Sequence, residues 1–176
     1  MNDSEWASEF QAIYDRGVAA WRAGRRSPAT MFSAEDVSAL ARIGCSAQEL
    51  FDFVDDFLVY GEPDFATVLA VQSIRRDHFL TVLHGKSTGH VARMADLPAK
   101  AAAVDGIAWL PRLIVKARLK LRGEMPPDLM YGCGGDRPFL RSVNLTLSRF
   151  LELVREAGDD DRRIIEAVKA SARGGR

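Results

Sequence analysis

The stretch SAQELFDFVDDFLVYG, residues 46–61, predicts a helix with a defined start, a buried face and a defined end. Ser46 and Glu49 fit a capping box, in which the hydroxyl and the carboxylate each bind a backbone N–H at the helix start. Gly61 follows as a stop signal. The inward-facing positions recur every three to four residues and are Leu50, Phe53, Val54 and Phe57. This spacing is typical of an amphipathic helix packed against other helices.

Similar signals surround this segment and predict that residues 1–83 form one helical unit. A first helix follows the apolar stripe from Trp6 to Trp21, and the breaker RRSPATM, residues 25–31, separates it from a short second helix. A long helix follows Gly61, and one face of it is expected to consist of Phe65, Val68, Leu69, Gln72, Phe79 and Leu83. The expected boundary residues are Ser4 and Gly24 for the first helix, Ser33, Asp36 and Gly44 for the short helix, and Pro63 in the first turn of the long helix.

Residues 84–96, HGKSTGHVARMAD, have no helical period and predict a linker loop. A second helical unit, residues 97–176, is expected to follow it. Its first helix is expected over residues 110–122, with Pro111 in the first turn and residues 106–109 as a lead-in turn. No segment alternates with period two for long enough to predict a strand.

The helix over residues 110–122 is predicted to be covered on two faces and central to the fold. Its main stripe consists of Leu110, Leu113, Ile114, Ala117 and Leu121, and Val115 and Leu119 lie on the opposite side. Three shorter helices should complete the unit. Their signals are Asp136 as an N-cap, Thr146 and Gly158 as a cap and a stop, and the apolar residues Ile164, Ile165 and Val168. The fold class is therefore predicted to be all-α, a compact bundle of seven to eight helices packed as one globular domain.

An internal repeat is indicated when the chain is compared with itself at an offset of one hundred residues. At this offset, predicted helix caps align with predicted helix caps, and predicted core positions align with predicted core positions. The matched pairs are Asp36 with Asp136, Leu40 with Leu140, Ser46 with Thr146, Leu50 with Phe150 and Val54 with Val154. Two such copies are expected to pack about a pseudo-two-fold axis with a groove at their junction. The alternative is that two helical hairpins of similar length match by coincidence.

Charge and composition exclude several classes of protein. Lys and Arg total 24, and Asp and Glu also total 24, so no net field attracts the chain to nucleic acid or to anionic lipid. No apolar run is long enough to span a bilayer, and the start MNDSEWASEF lacks the features of a signal peptide. The two cysteines do not suggest a disulfide framework. These features predict a cytoplasmic protein without a membrane span and disfavour a general nucleic-acid binder.

The segment from Tyr131 to Asp136, YGCGGD, is the strongest candidate site. Its glycines and Cys133 precede a predicted helix start, where backbone N–H groups and the helix dipole favour an anion. Arg112 and Lys116 lie on one stripe of the preceding helix and could supply positive charge. The alternative is structural: the glycines form a bend, Asp136 caps the helix, and Tyr131 and Cys133 pack in the core.

Other motifs predict no metal site and no cofactor. GKST, residues 85–88, resembles the end of a phosphate-binding loop, but the motif requires a glycine where Leu80 stands and a preceding strand. His78, His84 and His90 are six residues apart, a spacing that does not place them on one helical face, and no zinc pattern surrounds them. No Ser-His-Asp arrangement can be recognised.

The runs GIAWLPRLIVKARLKLRG, YGCGGDRPFL and FLELV resemble an uncharacterised bacterial family, domain of unknown function fifty sixty-nine. The family pattern is an Arg-x-Ile-x-Lys-Ala-Arg helix followed by a Tyr-x-Cys-x-x-Asp-x-x-Leu loop. In this chain it falls on Arg112, Ile114, Lys116, Ala117, Arg118, Tyr131, Cys133, Asp136 and Phe139. Val115 stands where the family has an acidic residue, which weakens any role for a carboxylate on that helix. The resemblance implies a small helical domain and no assigned activity.

Three functions remain open from the sequence, and the weakest is contact with nucleic acid through the basic residues of the helix over residues 110–122. The first is a non-catalytic binding module that recognises an anionic small molecule or a protein partner. The alternative is an enzyme of unassigned class, in which Cys133 is a nucleophile or Asp136 an acid or base, and Arg112 and Lys116 bind an anionic substrate. The oligomeric state has no signal in the sequence.

Overall fold

The computed structural model describes residues 3–174, with side chains from residue 5 onward. Within that range it contains nine α-helices and one short β-hairpin, which confirms the all-α fold. The chain divides into two compact units, Met1–Ser87 and Thr88–Arg176. None of the described helices is both long enough and apolar enough to cross a membrane.

The first unit contains five helices, and both predicted capping boxes are present. The helices are α1 (Asp3–Arg22), α2 (Pro28–Met31), α3 (Ala34–Arg42), α4 (Ala47–Tyr60) and α5 (Phe65–Thr81). The Ser33 hydroxyl accepts from the Asp36 N–H at 3.1 Å, and the Ser46 hydroxyl accepts from the Glu49 N–H at 3.1 Å. α1 packs against α2, α3 and α4. The capped starts therefore fix where α3 and α4 enter the core.

Two boundaries in the first unit differ from the prediction. The expected breaker, residues 25–31, contains the short helix α2, because Pro28 is tolerated in a first turn where its missing N–H would have no partner. Pro63 does not open α5; Asp64 is the N-cap, and its carboxylate accepts from the Thr67 N–H at 2.9 Å. The predicted cap Ser4 lies outside the residues whose side chains are described.

The core of the first unit is formed by apolar side chains from α1, α3, α4 and α5. Those with no measurable exposure are Leu40, Leu50, Val54, Val68 and Val71. Each such side chain stabilises the fold by roughly 1.5–3 kcal/mol relative to an exposed position. Phe65 extends this core toward α1, since its ring lies 4.8 Å from that of Tyr14 and 6.1 Å from that of Phe10.

The second unit combines the hairpin with four helices. Its elements are β1 (Ala103–Val104), β2 (Ile107–Ala108), α6 (Leu110–Arg122), α7 (Asp136–Ser142), α8 (Leu147–Ala157) and α9 (Asp161–Gly174). A single 3₁₀ turn, Met94–Asp96, lies within the segment predicted to be a linker. α8 contacts α6, α7 and α9, so it lies at the centre of the helical packing.

The hairpin corrects the prediction that residues 106–109 form only a lead-in turn. β1 and β2 are antiparallel, with Val104 opposite Ile107. Asp105 and Gly106 form the turn with φ of 51° and 78°, the backbone that an Asp-Gly pair favours in a two-residue hairpin loop. Strands of two residues are too short to show an alternating pattern, so hydrophobic periodicity could not reveal them.

α6 is covered on two faces, as predicted. Leu110, Leu113 and Ala117 have no exposed surface. On the opposite side, Leu119 packs with Leu97 and Leu129 in a separate apolar cluster, against which Val115 also packs. Lys116 and Lys120, which α6 carries between these two faces, are therefore buried in the unit.

Candidate functional site

Three of the five predicted site residues meet inside the second unit. Lys116, in the middle of α6, donates from Nζ to Oδ2 of Asp136 at the start of α7. The same ammonium donates to Sγ of Cys133 at 3.2 Å. Lys116 and Asp136 are buried, with 1% and 0% of their side chains exposed, whereas Cys133 is partly exposed. The thiol thus lies between the buried ion pair and the surface.

Asp136 was predicted to be the N-cap of α7, and this prediction is wrong. Gly135 occupies the N-cap position, and Asp136 is the first helical residue, with its carboxylate turned into the core. Its Oδ1 accepts from the indole N–H of Trp109 at 2.9 Å, and its Oδ2 accepts from the Gly132 N–H at 2.8 Å as well as from Lys116. A buried carboxylate needs such donors because its charge is costly to remove from water.

The Trp109 ring packs against the loop and makes glycine necessary at one position of it. It stands at the N-cap of α6 with a positive φ of 71°, and its indole lies against Gly135. A Cβ at Gly135 would lie 2.6 Å from Cη2 of Trp109, closer than real Cβ contacts allow. Glycine is needed at position 135 because of this close approach.

Tyr131 is part of the core. Its hydroxyl donates to the Leu147 carbonyl at 2.7 Å, which ties the loop to the start of α8. Burial raises the pKa of Tyr131 well above its ordinary value, and the nearby Asp136 carboxylate adds to the rise. The hydroxyl therefore remains protonated and serves as a donor, not as a base.

Arg112 lies apart from these groups. Its Nη1 donates to the Pro98 carbonyl at 2.7 Å, which anchors the segment that precedes the hairpin. Within residues 3–174, no hydrogen bond joins Arg112 to Lys116, Cys133 or Asp136. The stripe that the sequence predicted on α6 therefore divides, with Lys116 directed to the loop and Arg112 to another segment.

Arg137 is a functional candidate that the sequence pattern did not indicate. Only 6% of its surface is exposed, and its Nη1 donates to the Gly132 carbonyl at 2.6 Å. Its Nη2 lies 4.0 Å from the position of a Cβ on Gly134, and Gly134 itself is exposed. The loop therefore reaches the surface at Gly134 with the guanidinium of Arg137 behind it. The only signal in the sequence was a basic residue next to Asp136.

This arrangement limits the chemistry that the site can perform. The Asp136 carboxylate has no exposed surface and accepts from three donors, which does not suit proton exchange with a substrate. Cys133 is the one partly exposed group with nucleophilic character among the three that meet here. No group of three or more His, Cys, Asp or Glu in the described part of the chain is arranged to hold a metal ion.

Of the comparisons with known proteins, only the one with protein families gives a match, and that match lies in the second unit. No curated protein and no solved structure matches the chain. The family resemblance predicted from the loop and from α6 is nevertheless confirmed, because residues 96–176 match the model of the family described as a domain of unknown function (DUF5069).

Proposed function

We propose that the protein is a non-catalytic helical binding module that recognises an anionic small molecule at the loop from Tyr131 to Asp136. The observation that carries the proposal is that two buried cationic groups, Lys116 and Arg137, lie behind a glycine loop that reaches the surface. Buried charges are weakly screened by salt, so an anion on this loop is attracted to both groups.

Arg137 is the cation on which the proposed binding depends most. Its Nη1 donates to the Gly132 carbonyl, and its Nη2 lies 4.0 Å from the position of a Cβ on the exposed Gly134. A guanidinium presents several N–H groups in a fixed plane that matches phosphate and carboxylate oxygens.

A comparison of the two units supports a structural role for the buried carboxylate. In the first unit Arg16 donates to Asp36 at 2.5 Å, and the Ser33 N–H donates to the same carboxylate at 3.2 Å. Lys116 and Asp136 stand one hundred positions later and form the corresponding ion pair. A carboxylate that anchors a helix start in both units is better explained by folding than by catalysis.

We also propose that the two units repeat one helical plan. The second residue after each of α3 and α7 has a positive φ, 69° at Gly44 and 55° at Asn144. The same backbone hydrogen bond closes each helix, from Cys45 to Leu40 and from Leu145 to Leu140. Each agreement falls at the one-hundred-residue offset found in the sequence, and it extends to the ion pairs.

The proposed function is tested by calorimetric titration of the chain with inorganic phosphate, pyrophosphate and succinate. We expect saturable binding of at least one anion, and affinity lower by tenfold or more, about 1.4 kcal/mol, in Arg137→Gln. Arg141→Gln is the matched control, because Arg141 is an exposed arginine on the same helix. Absence of binding to every anion, or equal affinity in wild type and Arg137→Gln, would contradict the proposal.

Two further variants complete this test. Arg137→Lys keeps the charge and loses the planar donors, so it is used if Arg137→Gln does not fold; we expect intermediate affinity. A polyglutamate peptide tests the second ligand class, an acidic segment of a protein partner. Binding of the peptide without binding of the small anions would support the partner.

A second candidate function is an enzyme that uses Cys133 as a nucleophile. The partial exposure of Cys133 and its contact with Lys116 Nζ favour it, because a substrate could reach the thiol and cysteine is a common nucleophile. Iodoacetamide labelling tests this candidate, with the buried Cys45 as the reference within the same chain. Labelling of Cys133 as slow as that of Cys45 would exclude the nucleophile.

We propose the cytoplasm as the location of the protein. Neither Cys45 nor Cys133 forms a disulfide, and each lies in a different unit. This usage of cysteine suits a reducing compartment. Fractionation of cells that produce the protein, with detection in the soluble fraction, tests the assignment.

A further inference from the structure

Helix α5 places a charged side chain inside the first unit. Only 2% of Arg75 is exposed, and it lies on the same face of α5 as the buried residues Val68, Val71 and Phe79. Two of its donors, Nε and Nη1, are buried and have no hydrogen-bond partner among the described residues. A buried charge without partners is strongly unfavourable, so this guanidinium requires an acceptor.

The aromatic ring beside Arg75 does not supply that acceptor. The guanidinium carbon lies 5.2 Å from the centre of the Phe79 ring, within range of a cation–π contact. Such a contact involves the ring and the charge, while each guanidinium N–H still needs its own acceptor. The attraction to Phe79 therefore holds the side chain in place and leaves Nε and Nη1 unpaired.

The carboxylate of Glu49 attracts the charge of Arg75. Burial lowers the pKa of Arg75, and the attraction of Glu49 opposes this shift. Glu49 accepts from the Ser46 N–H at 2.9 Å in the capping box of α4, so its carboxylate is committed to that helix start. Because the ordinary pKa of arginine is very high, the guanidinium stays charged at neutral pH.

Gln72 adds a second buried polar atom one turn earlier on the same helix. Its Nε2 donates to the Ile43 carbonyl at 2.9 Å, whereas its Oε1 is buried without a partner. Reversing the amide would place the oxygen against the Ile43 carbonyl and lose this bond, so the orientation of Oε1 is fixed. Residues three apart on a helix are neighbours on its surface, which brings Gln72 and Arg75 to one side.

We propose that Arg75 and Gln72 form a binding site in the first unit for a small carboxylate that carries a neighbouring hydroxyl or amino group. The carboxylate oxygens accept from the Arg75 guanidinium, and the hydroxyl or amino hydrogen is donated to Gln72 Oε1. This pairing satisfies both sets of buried polar atoms at once. It goes beyond the anion site proposed in the second unit and does not depend on it.

Glycolate and acetate are the matched probes, since they differ by one hydroxyl group. Binding to the full chain is followed by the NMR resonance of the Arg75 Nε–H. We expect glycolate to shift this resonance in a saturable manner, with about tenfold higher affinity than acetate, because one buried hydrogen bond is gained. No shift with either probe would overturn the proposal.

Variants separate the two residues and control for charge. Gln72→Leu should remove the preference for glycolate over acetate while binding of acetate remains. Arg75→Met should abolish binding, and its control is Arg42→Met, which removes an exposed arginine of the same unit. If Arg75→Met does not fold, Gln72→Leu alone decides: an unchanged preference for glycolate would overturn the site. Arg137→Gln should leave the shift of the Arg75 Nε–H resonance by glycolate unchanged, which separates this result from the function proposed for the second unit.

Discussion

Lys116 and Asp136 form an ion pair in the interior of the second unit, with only 1% and 0% of their side chains exposed. The corresponding pair in the first unit, Arg16 and Asp36, is partly open to water, because 55% of the Arg16 side chain is exposed. Removing one partner of a buried pair leaves an uncompensated charge, whereas an exposed partner can be replaced by water. The two pairs should therefore differ sharply in their contributions to stability.

Lys116→Met is expected to lower the free energy of unfolding by about 3–5 kcal/mol, because Asp136 would remain buried without its cation. Arg16→Met is the matched control and should lower it by no more than about 1 kcal/mol. Urea denaturation of both variants measures the difference. Equal losses would show that Lys116 does not balance the Asp136 charge in the folded state.

Gly135→Ala is expected to destabilise the second unit by about 1–3 kcal/mol, because the added methyl group would overlap the Trp109 ring. Gly134→Ala is the control: it is exposed, and the nearest atom to a new Cβ is Nη2 of Arg137 at 4.0 Å. Thermal unfolding of the two variants gives the comparison. A Gly135→Ala protein as stable as the control would rule out the close packing of Trp109 on the loop.

The decrease in the free energy of unfolding at acidic pH should depend on Asp36. Burial raises the pKa of this carboxyl, but the hydrogen bonds from Arg16 and from the Ser33 backbone outweigh burial and hold the pKa below its ordinary value. The resulting stabilisation is present above the unfolded pKa and is lost as pH falls through the folded pKa. We expect Asp36→Asn to be less stable than wild type at pH 6, and the difference to shrink as the pH falls below the ordinary carboxyl pKa of 3.8. A constant difference across this range, measured by urea denaturation, would contradict the assignment.

The decrease in the free energy of unfolding at alkaline pH should depend on Tyr14. Burial raises the pKa of Tyr14 from 10.0 to about 12, and the neighbouring Asp15 and Asp64 carboxylates add to the rise. The folded state therefore holds the phenolic proton more tightly, so this stabilisation is complete below pH 10 and is lost as pH rises toward 12. Over that interval the free energy of unfolding of Tyr14→Phe should fall less than that of wild type, by about 2–3 kcal/mol. Parallel pH dependences of the two proteins would contradict the shift.

Most of the helical fold could be predicted from the sequence, because its signals are local. The caps Ser33, Ser46 and Thr146 all bind backbone N–H groups at helix starts in the structure. The elements that were predicted wrongly also depend on local sequence. Pro28 is compatible with both a break and a first turn, and the hairpin strands are shorter than any alternating pattern can reveal.

The candidate site could be predicted only in part, because tertiary contacts decide its roles. A carboxylate at a helix start is expected to be a cap, so Asp136 gave no sign that Trp109 and Lys116 bind it in the core. Lys116 and Arg75 each border an apolar stripe, where a long basic side chain usually extends to water. Gln72 was placed on the buried face of α5, but its unpaired oxygen depends on the Ile43 carbonyl from another part of the chain.

The central claim is that an anion binds the loop backed by Lys116 and Arg137, and an NMR titration of the backbone amides with pyrophosphate tests it most directly. We predict saturable shifts concentrated at Gly132, Gly134 and Gly135, which are retained in Arg141→Gln and lost in Arg137→Gln. Amides of this loop that stay in place while pyrophosphate is added, or shifts that persist in Arg137→Gln, would contradict the claim.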